Sequence, residues 1–239
     1  MSNKKVLAII PARGGSKRVP GKNIKLLNGL PLIEYTYIAA KNSKQIDEIV
    51  LSTDTQEIAD SAKLYDEVKV PFLRPAELSG DSVGDIPVIE HALLHFSKLN
   101  KTFDYVVYLR PTSPFKTSEL IDEVILKIKN SDFTGIRTIT PLEGVFHPYW
   151  AYRIEDEKLV NFCAEGGTEK YYQSQLLPNC YRLNGVVDCF KVENLKLGKI
   201  YGDNCSYVQI DDVTSVDIDT EQDFRFAEFL MKDRENERY

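Results

Sequence analysis

The chain has 239 residues, enough for one large α/β domain or for a domain carrying a substantial insertion. Hydrophobic residues make up 43% and charged residues 28%, an ordinary globular balance. A net charge of −6 argues against a nucleic-acid coat or an anionic-membrane binder, both of which need a basic excess.

The N-terminal apolar run "VLAIIP" is six residues long, too short for a signal peptide, and no run approaches a membrane span, so a cytoplasmic protein is expected. "KVLAII" reads as a buried parallel strand because it is apolar without alternation. "LPLIEYTYIAAKNS" places Leu32, Ile33, Tyr37 and Ala40 at helical spacing behind a proline. A strand "DEIVLST", a helix "DTQEIADSAKL", a strand "EVKVPFL" and a helix "GDIPVIEHALLHFSKL" follow. His91 and His95 share one face of that last helix, but the glutamate of a zinc-protease helix does not follow the first of them. Two helix-surface histidines are expected there.

Next come a strand "DYVVYL" and a helix "KTSELIDEVILKIKN" with one apolar stripe: Leu120, Ile121, Val124, Ile125 and Ile128. This alternation predicts a mostly parallel sheet covered by helices on both faces. From about Thr138 to Pro178 the rhythm gives way to a turn-rich, aromatic segment, read as a hairpin-built insertion whose exposed aromatics suit a subunit contact. An internally packed subdomain is the alternative. The rhythm resumes with "GVVDCFKV", "YVQI" and "TSVDIDT", all read as strands, and ends in a helix. The whole chain reads as a single domain with one excursion and no second catalytic domain. Four cysteines (Cys163, Cys180, Cys189 and Cys205) lack metal or redox spacing and read as scattered reduced thiols.

The chemistry-bearing stretches lie where strands end. "PARGGSKRVPGKN" follows the first strand, at the carboxyl edge of the sheet where open α/β folds bind ligands. It fails the P-loop, because five residues separate Gly15 from Gly21 and Asn23 follows Lys22. It also fails the dinucleotide fingerprint, because Gly14 and Gly15 are adjacent. What remains is a glycine-rich turn ringed by Arg13, Lys17, Arg18 and Lys22, suited to a triphosphate: backbone N–H groups wrap oxygens and cations offset charge. The alternative, a solubilising basic loop, does not account for glycines that let the backbone approach a ligand.

In "SVDIDTEQD", an extended strand would turn Asp217 and Asp219 to one side, with Cα atoms roughly 6.5 Å apart. Two carboxylates on one strand suit Mg²⁺, which takes its other ligands from phosphates and water. Thr220 and Asp223 form a capping box for the last helix, and Asp219 could instead belong to that cap. "LRPTSPF" presents Arg110, Thr112 and Ser113 at the same sheet edge, "FLRPAELSGDS" places Arg74 and Ser82 after another strand, and "NCYRLNGVVD" carries Arg182 and Asn184. Taken singly, each of these is ordinary turn or surface chemistry.

Taken together and in this order, "PARGGSKRVPGKN", "STD", "LRPAELSGD", "RPTSPF", "YRLNG" and "DIDTEQD" closely resemble the acylneuraminate cytidylyltransferases, the CMP-sialic acid synthetase family. The resemblance spans nearly the whole chain. It implies a Rossmann-like nucleotidyltransferase fold, a homodimer formed through the excursion, and Mg²⁺-dependent transfer of CMP from CTP to a sugar acid, a step toward surface polysaccharide. By position it implies that Arg13 and Lys22 hold the triphosphate, with Gly14 and Gly15 beside it and Asn23 on the nucleotide. Arg74, Asp81 and Ser82 would lie beside cytosine and ribose, and Asp217 and Asp219 would bind the metal. Arg13, Lys22 and Asp217 would carry the catalysis. The sugar acid is expected at Arg110, Thr112, Ser113, Gln173, Arg182 and Asn184.

Three departures from the family pattern bear on the acceptor. Arg110 stands where the family usually has Gln, Gln173–Ser174 replace a family arginine, and Gly84 takes the place of a serine after the Asp81 turn. They shift the expectation from N-acetylneuraminate to another nonulosonate such as legionaminic or pseudaminic acid. Other readings are activation of the eight-carbon acid Kdo or of a neutral sugar phosphate, and a CTP-binding module without catalysis.

Overall fold

The computed structural model describes residues 4–236. In chain order the elements are β1 (Val6–Ala12), β2 (Leu26–Leu27), β3 (Leu30–Pro31), α1 (Leu32–Asn42), β4 (Glu48–Thr53), α2 (Gln56–Ser61), β5 (Val68–Lys69) and α3 (Asp85–Lys98). They continue with β6 (Tyr105–Tyr108), α4 (Ser118–Lys129), β7 (Gly135–Pro141), β8 (Tyr152–Glu155), β9 (Lys158–Asn161), β10 (Tyr181–Lys191), β11 (Cys205–Gln209) and α5 (Glu221–Asn236).

Seven strands form one sheet in the order β11-β7-β10-β6-β1-β4-β5. β1 pairs in parallel with both β4 and β6, and β7 with β11; β10 alone runs antiparallel, between β6 and β7. The expected doubly covered, mostly parallel sheet is therefore present, and β1 shows why its sequence is uniformly apolar. Val6, Ala8 and Ile10 face one side with Ile33 and Tyr37 of α1 and Ile121 and Ile125 of α4. Leu7 and Ile9 face the other, with Ile89, Ala92 and Phe96 of α3. Successive side chains alternate across a sheet, so a strand covered on both faces cannot alternate in polarity. The whole predicted stripe of α4 is buried.

Three expectations shift. Only Val68 and Lys69 of "EVKVPFL" are strand. His91 and His95 share a face as expected, but it packs against Phe72, His91 edge-on and His95 tilted, and is not open surface. "TSVDIDT" is not a strand: after a turn at 212–215 the chain runs extended without a ladder, held at Ile218, whose N–H donates to the Thr112 carbonyl at 2.8 Å. The strand-like pattern joins no ladder because its central N–H, at Ile218, is taken by a loop carbonyl and not by a strand of the sheet.

β7 carries the central sheet to Pro141, so the departure from it begins beyond Thr138. Between β7 and β10 lie short turns and the β8–β9 hairpin, which forms its own two-stranded sheet. All four cysteines are free.

Candidate active site

The carboxyl ends of β1 and β6 and the segment after β5 open onto a cleft of about 590 Å³. Arg13, Lys17, Arg18, Lys22, Asn23, Arg74, Asp81, Arg110, Thr112 and Asp219 all line it. Elements nearly 200 residues apart in the chain thus share one hollow.

The opening loop is braced before any ligand enters. Gly14 donates its N–H to Asp54 Oδ1 at 2.9 Å, so that donor is already spent and does not wrap a phosphate. A side chain at Gly14 would run into the Thr55 methyl, which explains the glycine as a close approach to the β4–α2 turn. A Cβ at Gly15 would meet nothing within 4 Å, which leaves Gly15 as the open part of the turn. Asn23 is buried and donates Nδ2 to the Arg13 carbonyl at 3.0 Å, holding the backbone from which Arg13 projects. Lys22 reaches across to the far end of the chain, donating to the Ile218 carbonyl at 2.7 Å and to Asp219 Oδ1 at 3.1 Å.

In this state the loop's cations are paired with cleft carboxylates. Asp81 accepts from Lys17 and Arg13, which together hold its carboxyl below its ordinary pKa. Asp219 takes Arg18 and Lys22, each at 3.1 Å. Asp217 remains solvent-accessible, but the protein crowded around its carboxyl raises its pKa, and the Asp219 charge adds to the rise. The Thr112 hydroxyl, Lys22 and Lys116 act in the opposite direction. Arg74 is buried, its own N–H bonded to the Thr53 carbonyl at 2.6 Å and its Nε to Ser79 at 3.1 Å. Burial lowers its pKa, as expected for a cation held away from water.

The residues expected at the sugar divide into two groups. Arg110 and Thr112 face the cleft. Arg110 already holds two carboxylates: Nη2 donates to Asp85 at 2.6 Å and Nη1 to the fully buried Asp188 at 3.0 Å. Burial opposes its charge, but those two partners outweigh burial and raise its pKa. Ser113 is buried beneath the loop, away from the cleft lining. Asn184 spans the β10 bulge, donating to Thr140 Oγ1 and accepting from the Thr138 hydroxyl, while Gly185 at φ 66° leaves room for the Arg110 guanidinium. "Asn-Gly" is therefore turn chemistry that shapes the cleft wall. Arg182 bonds Ser215 at 2.7 Å and lines a different groove. Gln173 is exposed in the excursion, and Ser82 is exposed outside the cleft lining.

Asp85, Asp188 and Lys116 belong to the site or its support without any motif to mark them. The first two resemble an ordinary helix first-turn acid and a strand acid. Lys116 resembled the start of a surface helix, yet α4 begins at Ser118 with Thr117 as its N-cap, and Lys116 is buried. Asp54 sat in the quoted "STD" without an assigned role.

The donor set around Asp217 and Asp219 has the chemistry Mg²⁺ requires. Two carboxylates stand close enough that one raises the pKa of the other, and a cation would relieve that repulsion. Among the described residues no group of three or more His, Cys, Asp and Glu side chains could hold a metal ion. Such a pair fits Mg²⁺, which usually takes one or two carboxylates and completes its shell with waters and substrate phosphates.

The cytidylyltransferase family profile matches residues 7–210. The chain is 34% identical over 231 residues to the CMP-N,N'-diacetyllegionaminic acid synthase of Legionella pneumophila, covering 95% of this chain and 97% of that one. It is 34% identical over 236 residues to the pseudaminic acid cytidylyltransferase of Campylobacter jejuni, with 95% and 97% covered. In fold it is similar to a CMP:2-keto-3-deoxy-manno-octonic acid synthetase solved with CTP, at a TM-score of 0.69 and 14% identity, covering 97% of this chain and 100% of that one. With a nucleotide-sized cleft at the expected sheet edge and a family match across most of its length, this chain belongs to the cytidylyltransferases and is a nucleotidyltransferase of the acylneuraminate cytidylyltransferase-like kind.

Proposed function

We propose that the chain transfers CMP from CTP to the anomeric hydroxyl of a nonulosonic acid, releasing pyrophosphate. The observation that carries this reading is the meeting of Lys22 with Asp219 and the Ile218 carbonyl, which joins a phosphate-suited loop to the acidic segment; Asp219 lines the cleft and Asp217 stands behind that lining. Arg13, Lys17, Arg18 and Lys22 would exchange their carboxylate partners for the triphosphate. Arg74 and the 79–85 turn form the wall assigned to cytosine and ribose.

Asp217 and Asp219 would hold Mg²⁺, which when bound supplies charge stabilisation to the phosphate oxygens. The acceptor hydroxyl gives up its proton to solvent as its oxygen forms a bond to the α-phosphorus and the bond to the pyrophosphate oxygen breaks. Arg13 and Lys22 stabilise the charge that grows on the departing pyrophosphate. Positioning and electrostatics carry the step, as in phosphoryl transfer generally.

The proposed acceptor is of the legionaminic or pseudaminic type, a reading supported by the names of the full-length relatives and by the Arg110 substitution. Val145, Phe146, Ile154 and Leu159, each more than 70% exposed in the excursion, support a homodimer formed through that face. Sedimentation of the purified protein tests this: a monomer at micromolar concentration would count against it.

The deciding assay follows pyrophosphate release with CTP, Mg²⁺ and a panel of sugar acids. Release with a legionaminic or pseudaminic acid is expected. N-acetylneuraminate used as efficiently as any other acid would overturn the acceptor assignment. Saturable CTP binding without release from any acid would overturn catalysis.

A further inference from the structure

Lys116 is 4% exposed, and its ammonium is fully engaged. It donates to the Arg110 carbonyl at 2.8 Å, to the Ser113 carbonyl at 2.5 Å and to Thr36 Oγ1 at 3.1 Å. An ammonium has three donors, and here each has an oxygen. Two of those oxygens are main-chain groups of the "RPTSPFK" loop; the third belongs to α1, where Thr36 is fully buried. The loop spanned by this grip carries Thr112, whose carbonyl accepts from Ile218 N–H at 2.8 Å between the two carboxylates and whose hydroxyl lies near enough to Asp217 to favour its charged form. Lys116 also lies near enough to favour the charged form of Asp217.

A buried lysine is costly, because desolvation pushes its pKa down to about 7. A helix stabilised only by packing would not need a lysine here, and the three oxygens explain its presence. Without the ammonium, the buried Ser113 carbonyl and the part-buried Arg110 carbonyl would lose this donor.

We propose that Lys116 is a positioning residue for the Asp217–Asp219 carboxylate pair: it fixes the 110–116 loop to α1, and Thr112 passes that fixed position on to Asp217 and Ile218. The proposal rests on the assignment of Asp217 and Asp219 to the metal, and its test separates the two. Residues that support metal ligands from behind typically contribute a factor of about 10–100 in metal affinity.

The experiment measures Mn²⁺ affinity by the electron paramagnetic resonance of free Mn²⁺, with wild-type enzyme saturated with CTP. CTP affinity is measured separately by calorimetry in EDTA. Lys116→Met should weaken Mn²⁺ binding about tenfold or more and leave metal-free CTP binding unchanged, since none of the three oxygens it holds belongs to the Arg13–Lys22 loop. A general loss of structure would weaken both. Asp217→Asn must weaken Mn²⁺ binding; if it does not, the metal assignment falls, and the Lys116 inference falls with it. If Asp217→Asn weakens Mn²⁺ binding and Lys116→Met does not, the positioning role alone is overturned. Should Lys116→Met fail to fold, Thr36→Val, which removes only one of the three oxygens, must weaken Mn²⁺ binding in the same direction. Unchanged affinity in that variant overturns the inference.

Discussion

Replacing Gly14 with alanine tests whether the nucleotide loop is held by contact with the β4–α2 turn. An added Cβ would run into the Thr55 methyl, while the Thr55 Cβ and Oγ1 would each lie at 3.5 Å, an ordinary contact distance. The clash therefore resides in a single methyl group. Forcing one extra carbon into a packed site costs about 1–3 kcal/mol, and for a chain of this size each kcal/mol lowers Tm by roughly 2–4 °C. Gly→Ala also restricts the unfolded chain, a gain of about 0.4–1 kcal/mol that offsets part of the loss.

A double-mutant cycle with Thr55→Ser isolates the clash. Serine removes the methyl and keeps the hydroxyl that caps α2 by accepting from Ile58 N–H. The unfolded-chain term occurs in both arms and cancels. Urea denaturation should show Gly14→Ala destabilising the wild type and having little or no effect on the Thr55→Ser protein, with a coupling of about 1 kcal/mol or more. CTP affinity should fall and recover in parallel, because Arg13 precedes the displaced residue. An equal cost for Gly14→Ala in both backgrounds would refute the packing argument.

Three further outcomes follow from the cleft's electrostatics. Asp217 has a folded pKa raised above its unfolded value, so the stability it contributes is present in acid and is lost as pH rises through the folded pKa. Asp217→Asn should therefore raise the Tm of the metal-free protein at neutral pH, with the gain disappearing below the ordinary carboxylate range; no gain at neutral pH would contradict the shift. Asp81→Asn frees Arg13 and Lys17 and should tighten binding of inorganic tripolyphosphate, measured by calorimetry; if Asp81 also contacts the ribose, CTP itself will bind more weakly. Asp188 is fully buried and accepts from Arg110, Arg137 and Tyr201. Asp188→Ala leaves Arg137 without its carboxylate and Arg110 with Asp85 alone, and should cost about 3–5 kcal/mol in urea denaturation.

The sheet and its covering helices were legible because the signals are local. β1 is apolar throughout, and α4 repeats its apolar residues every third or fourth position, so one strand or helix contains its own pattern. The capping box is equally local: Asp223 N–H donates to the Thr220 hydroxyl, and the Asp223 carboxylate accepts from Thr220 N–H, as its spacing predicts. The basic loop was legible as an anion site from its charges and glycines.

The partnerships within that site were not legible, because each depends on groups distant in sequence. No local rule shows that Gly14 gives its N–H to Asp54, that Arg110 is already neutralised by Asp85 and Asp188, or that Lys22 spans 197 positions to Asp219. The same distance misled the reading of "TSVDIDT". Its alternation is strand-like, but the segment meets the loop after β6, where Ile218 N–H bonds the Thr112 carbonyl, and it joins no strand. Lys116 shows the division most clearly. By type a lysine before a helix belongs in water, and only the packing of α1 against the 110–116 loop puts three oxygens around it in place of solvent. Residue order determined the elements and the chemistry available to the cleft; burial and long-range pairing decided which groups are free to meet a substrate.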